Sequence, residues 1–204
     1  MTGTGAHISR RDAVISRRHA VLALTGIFAT AASGLGPLAA QEGAKPSAPI
    51  LVTSIGQSLD AFQVQLAVKR SGLAFEYDAH AEPPALANAK TLFLAVGASL
   101  KGFGDAGITI KDELARTTHL LDEARKRGLY IVVLHMGGEE RRDALSNQLI
   151  ELAAPAANRL IIRSDSNADG IFTKIATAGK IPLTVLENTV ALRETLKEMF
   201  PSGS

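Results

Sequence analysis

Short apolar or β-branched runs alternate along the chain with longer segments in which apolar residues recur every three or four positions. This alternation is typical of strands and amphipathic helices that follow one another. The run at 129–134 is continuously apolar, which favours a strand buried on both faces of a parallel sheet. Six strands are predicted, at 50–53, 73–77, 91–96, 129–134, 160–163 and 183–186.

The segments between these strands have helical spacing. Leu59, Phe62 and Leu66 predict the first helix, which ends at Gly72. The helix after the fourth predicted strand ends before Pro155. The alternation predicts an α/β fold with a doubly wound, mostly parallel sheet of about six strands and helices on both faces. Such a three-layer sandwich is flavodoxin-like or Rossmann-like.

The first 40 residues have a different pattern, which is that of an export signal. Arg17 and Arg18 precede an uncharged stretch at 20–40 that is rich in Ala, Leu and Gly, and polar residues follow it. The segment resembles a twin-arginine signal that is cleaved after Ala40. An uncleaved membrane anchor is the alternative, although the Gly and Pro residues of the stretch make a poor spanning helix.

We therefore divide the chain into a signal peptide at 1–40, a linker at 41–49 and a single α/β domain at 50–200. The expected location after cleavage is the bacterial periplasm, with no remaining membrane attachment.

Composition and charge narrow the classes of function. With 46% hydrophobic residues and 22 basic against 20 acidic side chains, the chain is too apolar and too evenly charged to be disordered. Residues 1–40 hold four of the basic side chains and one acidic side chain, so residues 41–204 carry 18 and 19, a formal charge of −1. This balance argues against nucleic acid as a partner. The absence of Cys excludes disulfides, thiolate metal sites and a Cys nucleophile.

Gly, Ser and charged residues are concentrated after the predicted strands, whereas the turns before the strands are plainer. Ligands of open parallel sheets bind beyond the carboxyl ends of the strands. The segments after strands one, three and four therefore supply the candidate ligand-binding residues, namely Ser54, Gly56, Gln57, Ser58, Gly97, Ser99, Lys101, His135, Gly137 and Gly138.

The segment after strand one has the features of an anion site. Gly56 permits close approach of a backbone, and Ser54, Gln57 and Ser58 surround the start of the next helix, where N–H groups are free. The alternative is that Ser58 only caps the helix and Gly56 only turns the chain. Lys101, in a glycine-rich loop, is either a positive charge for the same ligand or a solvated side chain.

His135 is the candidate for acid–base chemistry, because it ends the fourth strand beside two glycines. A hydrolase that uses His135 as base with Ser54 or Ser99 is an alternative function, although no G-x-S-x-G or H-E-x-x-H motif occurs. A hydrogen-bonded loop histidine is the structural alternative. The charged run at 139–142 predicts a solvated start of the next helix.

Two further patterns resemble ligand motifs but lack their context. The run at 102–107 fits G-x-G-x-x-G, yet it does not lie in the first strand–helix turn, so a dinucleotide is not predicted. Asp165, Asn167 and Asp169 reproduce the first half of a calcium loop, but Ala176 replaces its bidentate Glu. A capped turn is favoured there; no metal site is predicted and no cofactor is assigned.

Several strings of the chain resemble an uncharacterised family of exported bacterial α/β proteins. The resemblance is carried by the residues at 51–58, 96–102, 107–108 and 135–142 and continues through 165–174. It implies the α/β architecture and the same set of loops, and it implies no reaction.

The sequence therefore favours an exported small-ligand-binding or accessory module for a small polar or anionic molecule. The hydrolase is one alternative. A protein-interaction subunit of an exported complex, which would present an exposed apolar patch, is the other.

Overall fold

Six parallel strands form one sheet in the order β2-β1-β3-β4-β5-β6. The structure is a computed structural model and describes residues 45–201. The strands are β1 (Ile50–Ile55), β2 (Phe75–Tyr77), β3 (Thr91–Val96), β4 (Tyr130–His135), β5 (Arg159–Arg163) and β6 (Leu183–Leu186). The order is that of flavodoxin-like sheets with a sixth strand, so the predicted α/β sandwich is confirmed.

The three central strands are buried along their whole length, as the continuous apolar runs predict. Leu51 of β1 pairs with Leu92 of β3, and Leu92 pairs with Ile131 of β4. Because β1 and β3 are direct neighbours while β2 lies outside β1, the chain reverses its winding direction between β1 and β3. This reversal is the switch point at which ligands of such sheets bind.

Helices cover both faces of the sheet. Their bounds are α1 (Asp60–Arg70), α2 (Leu100–Ala106), α3 (Ile110–Lys126), α4 (Ala144–Ala153), α5 (Ile171–Gly179) and α6 (Leu192–Met199). Helices α1 and α6 pack against one face through side chains such as Val64 and Leu196. Helices α2 to α5 pack against the other face around Phe172 and Leu120. Two apolar cores therefore sandwich the sheet.

Helix α2 was not predicted, because its two glycines, Gly102 and Gly104, and its short length are typical of a loop. Ser99 starts the helix by accepting a hydrogen bond from the backbone N–H of Gly102, and Gly107, at a φ of 66°, ends it. The glycine-rich loop expected at 97–102 is therefore only a short turn, and Lys101 lies on a helix. The expectation of Lys101 as a loop residue is wrong for this reason.

The first helix is confirmed, but the apolar residues whose spacing predicts it lie on its outer side. Leu59 is 76% exposed and Phe62 is 57% exposed, whereas the core contacts of α1 come from Ala61, Val64 and Val68. The small side chains face the sheet because α1 packs closely against β1 and β3. The helix is consequently apolar on two sides.

The predicted signal peptide at 1–40 lies outside the described residues. Of the predicted linker, residues 45–49 are described, and Ser47 exchanges two hydrogen bonds with the hydroxyl of Thr91 at the start of β3. Within residues 45–201, no helix has the length and hydrophobicity needed to span a membrane.

Candidate functional site

A buried ion pair on α3 fixes the end of β1. Glu113 is fully buried and Arg116 is 8% exposed. The Arg116 Nε donates to Glu113 Oε2 at 2.9 Å, and Nη2 donates to Oε1 at 2.8 Å. Two further guanidinium hydrogens point to backbone carbonyls, from Nη2 to Ser54 O at 2.5 Å and from Nη1 to Ala81 O at 2.7 Å. Such a bidentate pair is specific in geometry and strong when its partners are satisfied.

Glu113 also determines what the segment after β1 can bind. Its Oε1 accepts a hydrogen bond from Gly56 N at 2.6 Å and another from Gln57 Nε2 at 3.1 Å. Gly56 has a φ of 101°, and a Cβ there would lie 2.4 Å from the carbonyl oxygen of Gly97. The close approach expected at Gly56 is therefore made by the end of β3 and not by a ligand. Gly56 and Gln57 therefore join the end of β1 to β3 and α3.

Helix α1 begins with a carboxylate, Asp60, that is not among the residues predicted from the sequence. Asp60 is 3% exposed, and its Oδ2 has no hydrogen-bond partner within residues 45–201. A Cβ on Gly97 would lie 3.1 Å from this oxygen, and a Cβ on Gly137 would lie 2.7 Å from it. The free oxygen of Asp60 thus lies at the carboxyl ends of β3 and β4.

Burial raises the pKa of Asp60, and the nearby charges of His135, Arg141 and Arg163 oppose this shift, as does the hydrogen bond to Ser58. Burial lowers the pKa of His135, against the effects of its backbone hydrogen bonds and of Asp60. Buried titratable groups with perturbed pKa values are enriched at functional sites.

His135 is fully buried, and both of its ring nitrogens face backbone carbonyls. Nδ1 lies 2.7 Å from Val96 O and Nε2 lies 3.3 Å from Gly138 O. Its ring packs 5.6 Å from that of Phe172, measured between centroids. These contacts are those of a hydrogen-bonded histidine with a structural role, the alternative to an acid–base residue that the sequence left open.

Neither serine expected to act with His135 contacts its ring. Ser54 shares the strand face of Val52, beneath α1, whereas His135 shares the opposite face with Val133. The Ser54 hydroxyl donates to Ser58 O at 3.5 Å, and the Ser99 hydroxyl accepts from Gly102 N at 3.1 Å. The structure thus shows no serine–histidine pair within the described residues.

Lys101 points away from the strand ends. Its side chain is 85% exposed and pairs with Asp105 one turn later at 2.5 Å. Of the two sequence interpretations, the solvated lysine matches this position. Ser58 lies beside Asp60, and its Oγ accepts a hydrogen bond from Asp60 N at 3.3 Å. This contact forms a short turn, and α1 has no side-chain cap.

Among the ten sequence-predicted residues, the structure brings Ser58, Gly97, His135 and Gly137 together near Asp60. Gly138 lies beside them, next to His135 and Arg163. We call Asp60, His135, Arg141 and Arg163, with the glycines between them, the strand-end site. Arg141 closes this site over Gly137, where a Cβ would lie 2.1 Å from Arg141 Cγ.

The charged run at 139–142 does not begin the helix as expected. Glu139–Arg141 is a short 3-10 turn, and α4 starts at Ala144 after Asp143 accepts a hydrogen bond from Ser146 N. The side chain of Arg142 is only 8% exposed and pairs with Asp169 at 2.6 Å. The expectation of a solvated run is wrong at Arg142, which holds the loops after β4 and β5 together.

The calcium-like turn has its side chains engaged elsewhere. Asp165 pairs with Arg163, and Asp169 pairs with Arg142. Asn167 accepts a hydrogen bond from Phe172 N at 3.1 Å, which supports the start of α5. Within residues 45–201, no group of three His, Asp or Glu side chains is placed to hold a metal ion.

The sequence did not indicate three residues of the strand-end site, Asp60, Arg141 and Arg163, or the supporting pair of Glu113 and Arg116. Asp60 stands two residues after Ser58, in the first helical turn, where an acid is ordinarily explained by the helix dipole. Glu113 and Arg116 resemble a surface pair at i,i+3 spacing. The helical spacing could have indicated that Glu113 and Arg116 are buried, because it places both residues on the same side of α3 as Leu120 and Ala124.

The fold and the strand-end site define an α/β domain of flavodoxin-like strand order with buried titratable groups at its switch point. A family model described as a domain of unknown function, DUF6305, matches residues 47–200. The match covers most of the chain, so the protein belongs to this family, and the resemblance to an uncharacterised family is confirmed. A search of curated proteins finds no match.

We predict that Glu113→Gln lowers the free energy of unfolding by about 3–5 kcal/mol, because it leaves the charge of Arg116 buried without its partner. Denaturant unfolding measures the effect. The matched control on the same helix is Glu123→Gln, which breaks a partly exposed pair with Arg127 and should cost about 0–1 kcal/mol. Equal losses in both variants would show that the buried pair does not hold the domain.

The raised pKa of Asp60 predicts a pH-dependent stability. The folded protein holds this proton more tightly than the unfolded chain does, so the carboxyl lowers stability as pH rises above its ordinary pKa of 3.8. Asp60→Asn removes that loss and should gain stability relative to the wild type between pH 3.8 and neutrality. Thermal unfolding across this pH range tests the difference.

Asp112→Asn is the control of opposite sign. Hydrogen bonds from Thr109 lower the pKa of the exposed Asp112, so this variant should lose stability relative to the wild type as pH rises. A gain from Asp60→Asn that does not vary with pH would contradict the assignment of a buried, titrating Asp60.

Proposed function

We propose that the domain is a small-ligand-binding or accessory module that holds a small polar, anionic molecule at the strand-end site. The observation that carries the proposal is the unpartnered oxygen of the buried Asp60 at the switch point of the sheet. A buried polar atom without a partner costs free energy, and native proteins retain such atoms where a ligand, an ion or water satisfies them.

The chemistry of the site suggests two groups on the ligand. Asp60 Oδ2 accepts a hydrogen bond, so the ligand presents a hydroxyl or amino group to it. Arg141 forms no ion pair within the described residues. Arg163, which pairs with Asp165, lies against Gly138. A carboxylate or phosphate is the group that an arginine recognises best. The ligand class is therefore a small acid that also carries a hydrogen-bond donor.

Access to the site requires Arg141 to move. Its side chain lies over Gly137 and is partly exposed, on a short 3-10 turn and outside the long helices. A ligand whose anionic group pairs with Arg141 would draw this side chain outward and open the path to Asp60. Binding is favoured over hydrolysis because both ring nitrogens of His135 already face carbonyls.

Binding is tested with a panel of small hydroxy acids and amino acids, each paired with the acid that lacks the donor group. We expect calorimetry to detect binding of at least one donor-bearing acid. Its Kd should rise about tenfold or more in Asp60→Asn and in Arg141→Gln, as for loss of a charged hydrogen bond. The matched control is Lys101→Gln, which removes an exposed charge and should leave the Kd unchanged.

Native mass spectrometry of the purified protein extends the test beyond the panel. A mass that is present in the wild type, lost on denaturation and absent in Asp60→Asn supports the proposal. A bare mass, together with no binding across the panel, or a Kd that neither site variant changes, would refute it.

We further propose that the protein is exported through the twin-arginine route, which rests on the sequence pattern around Arg17 and Arg18. Changing both to Lys should retain the full chain in the cytoplasm, as measured by fractionation and immunoblotting. The same segment offers a matched control, because Arg10 and Arg11 form a second pair, and Lys at those positions should leave export intact. Equal export of both variants would contradict this route.

A further inference from the structure

A groove lies on the outer surface between α1 and α6, apart from the strand-end site. It encloses about 330 Å³. Its apolar lining comes from Phe62, Leu66 and Ala67 of α1 and from Val190, which lies two residues before the start of α6. We call it the α1–α6 groove.

The exposure of these side chains is unusual for a surface helix. Phe62 is 57% exposed, Leu66 is 36% exposed and Val190 is 81% exposed. Leu59, at 76% exposure, precedes Phe62 by three residues and continues the same strip along α1. An outward helix face is ordinarily polar, and a contiguous exposed apolar strip marks an interaction site.

The charges at the groove are of one sign. Arg70 and Arg193 both line it, and no acidic residue does. Within residues 45–201 neither arginine forms a salt bridge, whereas the nearby Glu194 of α6 pairs with Lys197. The groove therefore combines an apolar floor with two cations that lack counter-charges.

We propose that the α1–α6 groove docks an amphipathic helix of a partner protein, with apolar anchors at the floor and acidic residues toward Arg70 and Arg193. A groove between two neighbouring helices accepts a third helix, and the anchors follow i, i+3 or i+4, and i+7 spacing. A second copy of this chain fits less well, because a two-fold contact sets the same cationic patch against itself.

The test uses synthetic helical peptides as probes and the full chain as receptor. One labelled peptide has Leu and Phe anchors flanked by Glu, a second has the same anchors flanked by Lys, and a third keeps Glu but replaces the anchors with Ser. Fluorescence anisotropy should show saturable binding of the first, weaker binding of the second by about tenfold or more, and none of the third.

Variants of the receptor assign the binding to this groove. Arg70→Glu with Arg193→Glu should reverse the preference in favour of the Lys-flanked peptide. Lys111→Glu with Lys174→Glu makes the same change in charge on α3 and α5, at the opposite face of the sheet, and should keep the original preference. Phe62→Ser with Val190→Ser should abolish binding while the thermal unfolding curve remains cooperative.

Asp60→Asn separates this inference from the strand-end proposal, because it should leave peptide binding unchanged. Four results would overturn the docking of a partner helix. They are equal binding of the Glu- and Lys-flanked peptides, a dimer that Phe62→Ser dissociates, peptide binding that appears only after residues 1–44 are removed, and binding to anionic vesicles in place of either peptide.

Discussion

The buried ion pair between Glu113 and Arg116 is the constraint on which the switch point depends. It links α3 to the last residues of β1 and to the segment at Ala81, which follows β2. These three parts of the chain are far apart in sequence, and the pair satisfies backbone groups at the end of β1 and at Ala81. Because the loss of one partner of a buried ion pair is strongly destabilising, the pair holds the end of β1 in one position relative to α3. Asp60 follows the end of β1 by five residues, so the same contacts help to position it at the site.

The strand-end site lowers the free energy of unfolding, and the rest of the fold must offset this loss. Burial raises the pKa of Asp60 and lowers that of His135, so both side chains are placed where their charged forms are disfavoured. The two apolar cores that sandwich the sheet supply the stability against which this cost is set. Buried groups that reduce stability are retained where they contribute to binding or chemistry.

The sequence predicts the sheet well, because continuous apolar runs such as that of β4 have no competing explanation. It predicts the site only in part. The region of the loops is identified, yet Lys101 lies on an unpredicted helix whose glycines are typical of a loop. The sequence does not indicate that Asp60 and Glu113 are buried, because the burial of a charged side chain depends on which parts of the chain pack over it. The exposed apolar strip of α1 is not predicted either, because helical spacing does not show which face of a helix packs against the sheet.

Helix α1 connects the two proposed surfaces, since its first residue is Asp60 and its outer side lines the α1–α6 groove. If Asp60 Oδ2 faces a binding site, a high-resolution crystal structure should show electron density for a water or a bound molecule within hydrogen-bond distance of this oxygen. A backbone or arginine N–H that occupies this position would show that the protein itself satisfies Asp60.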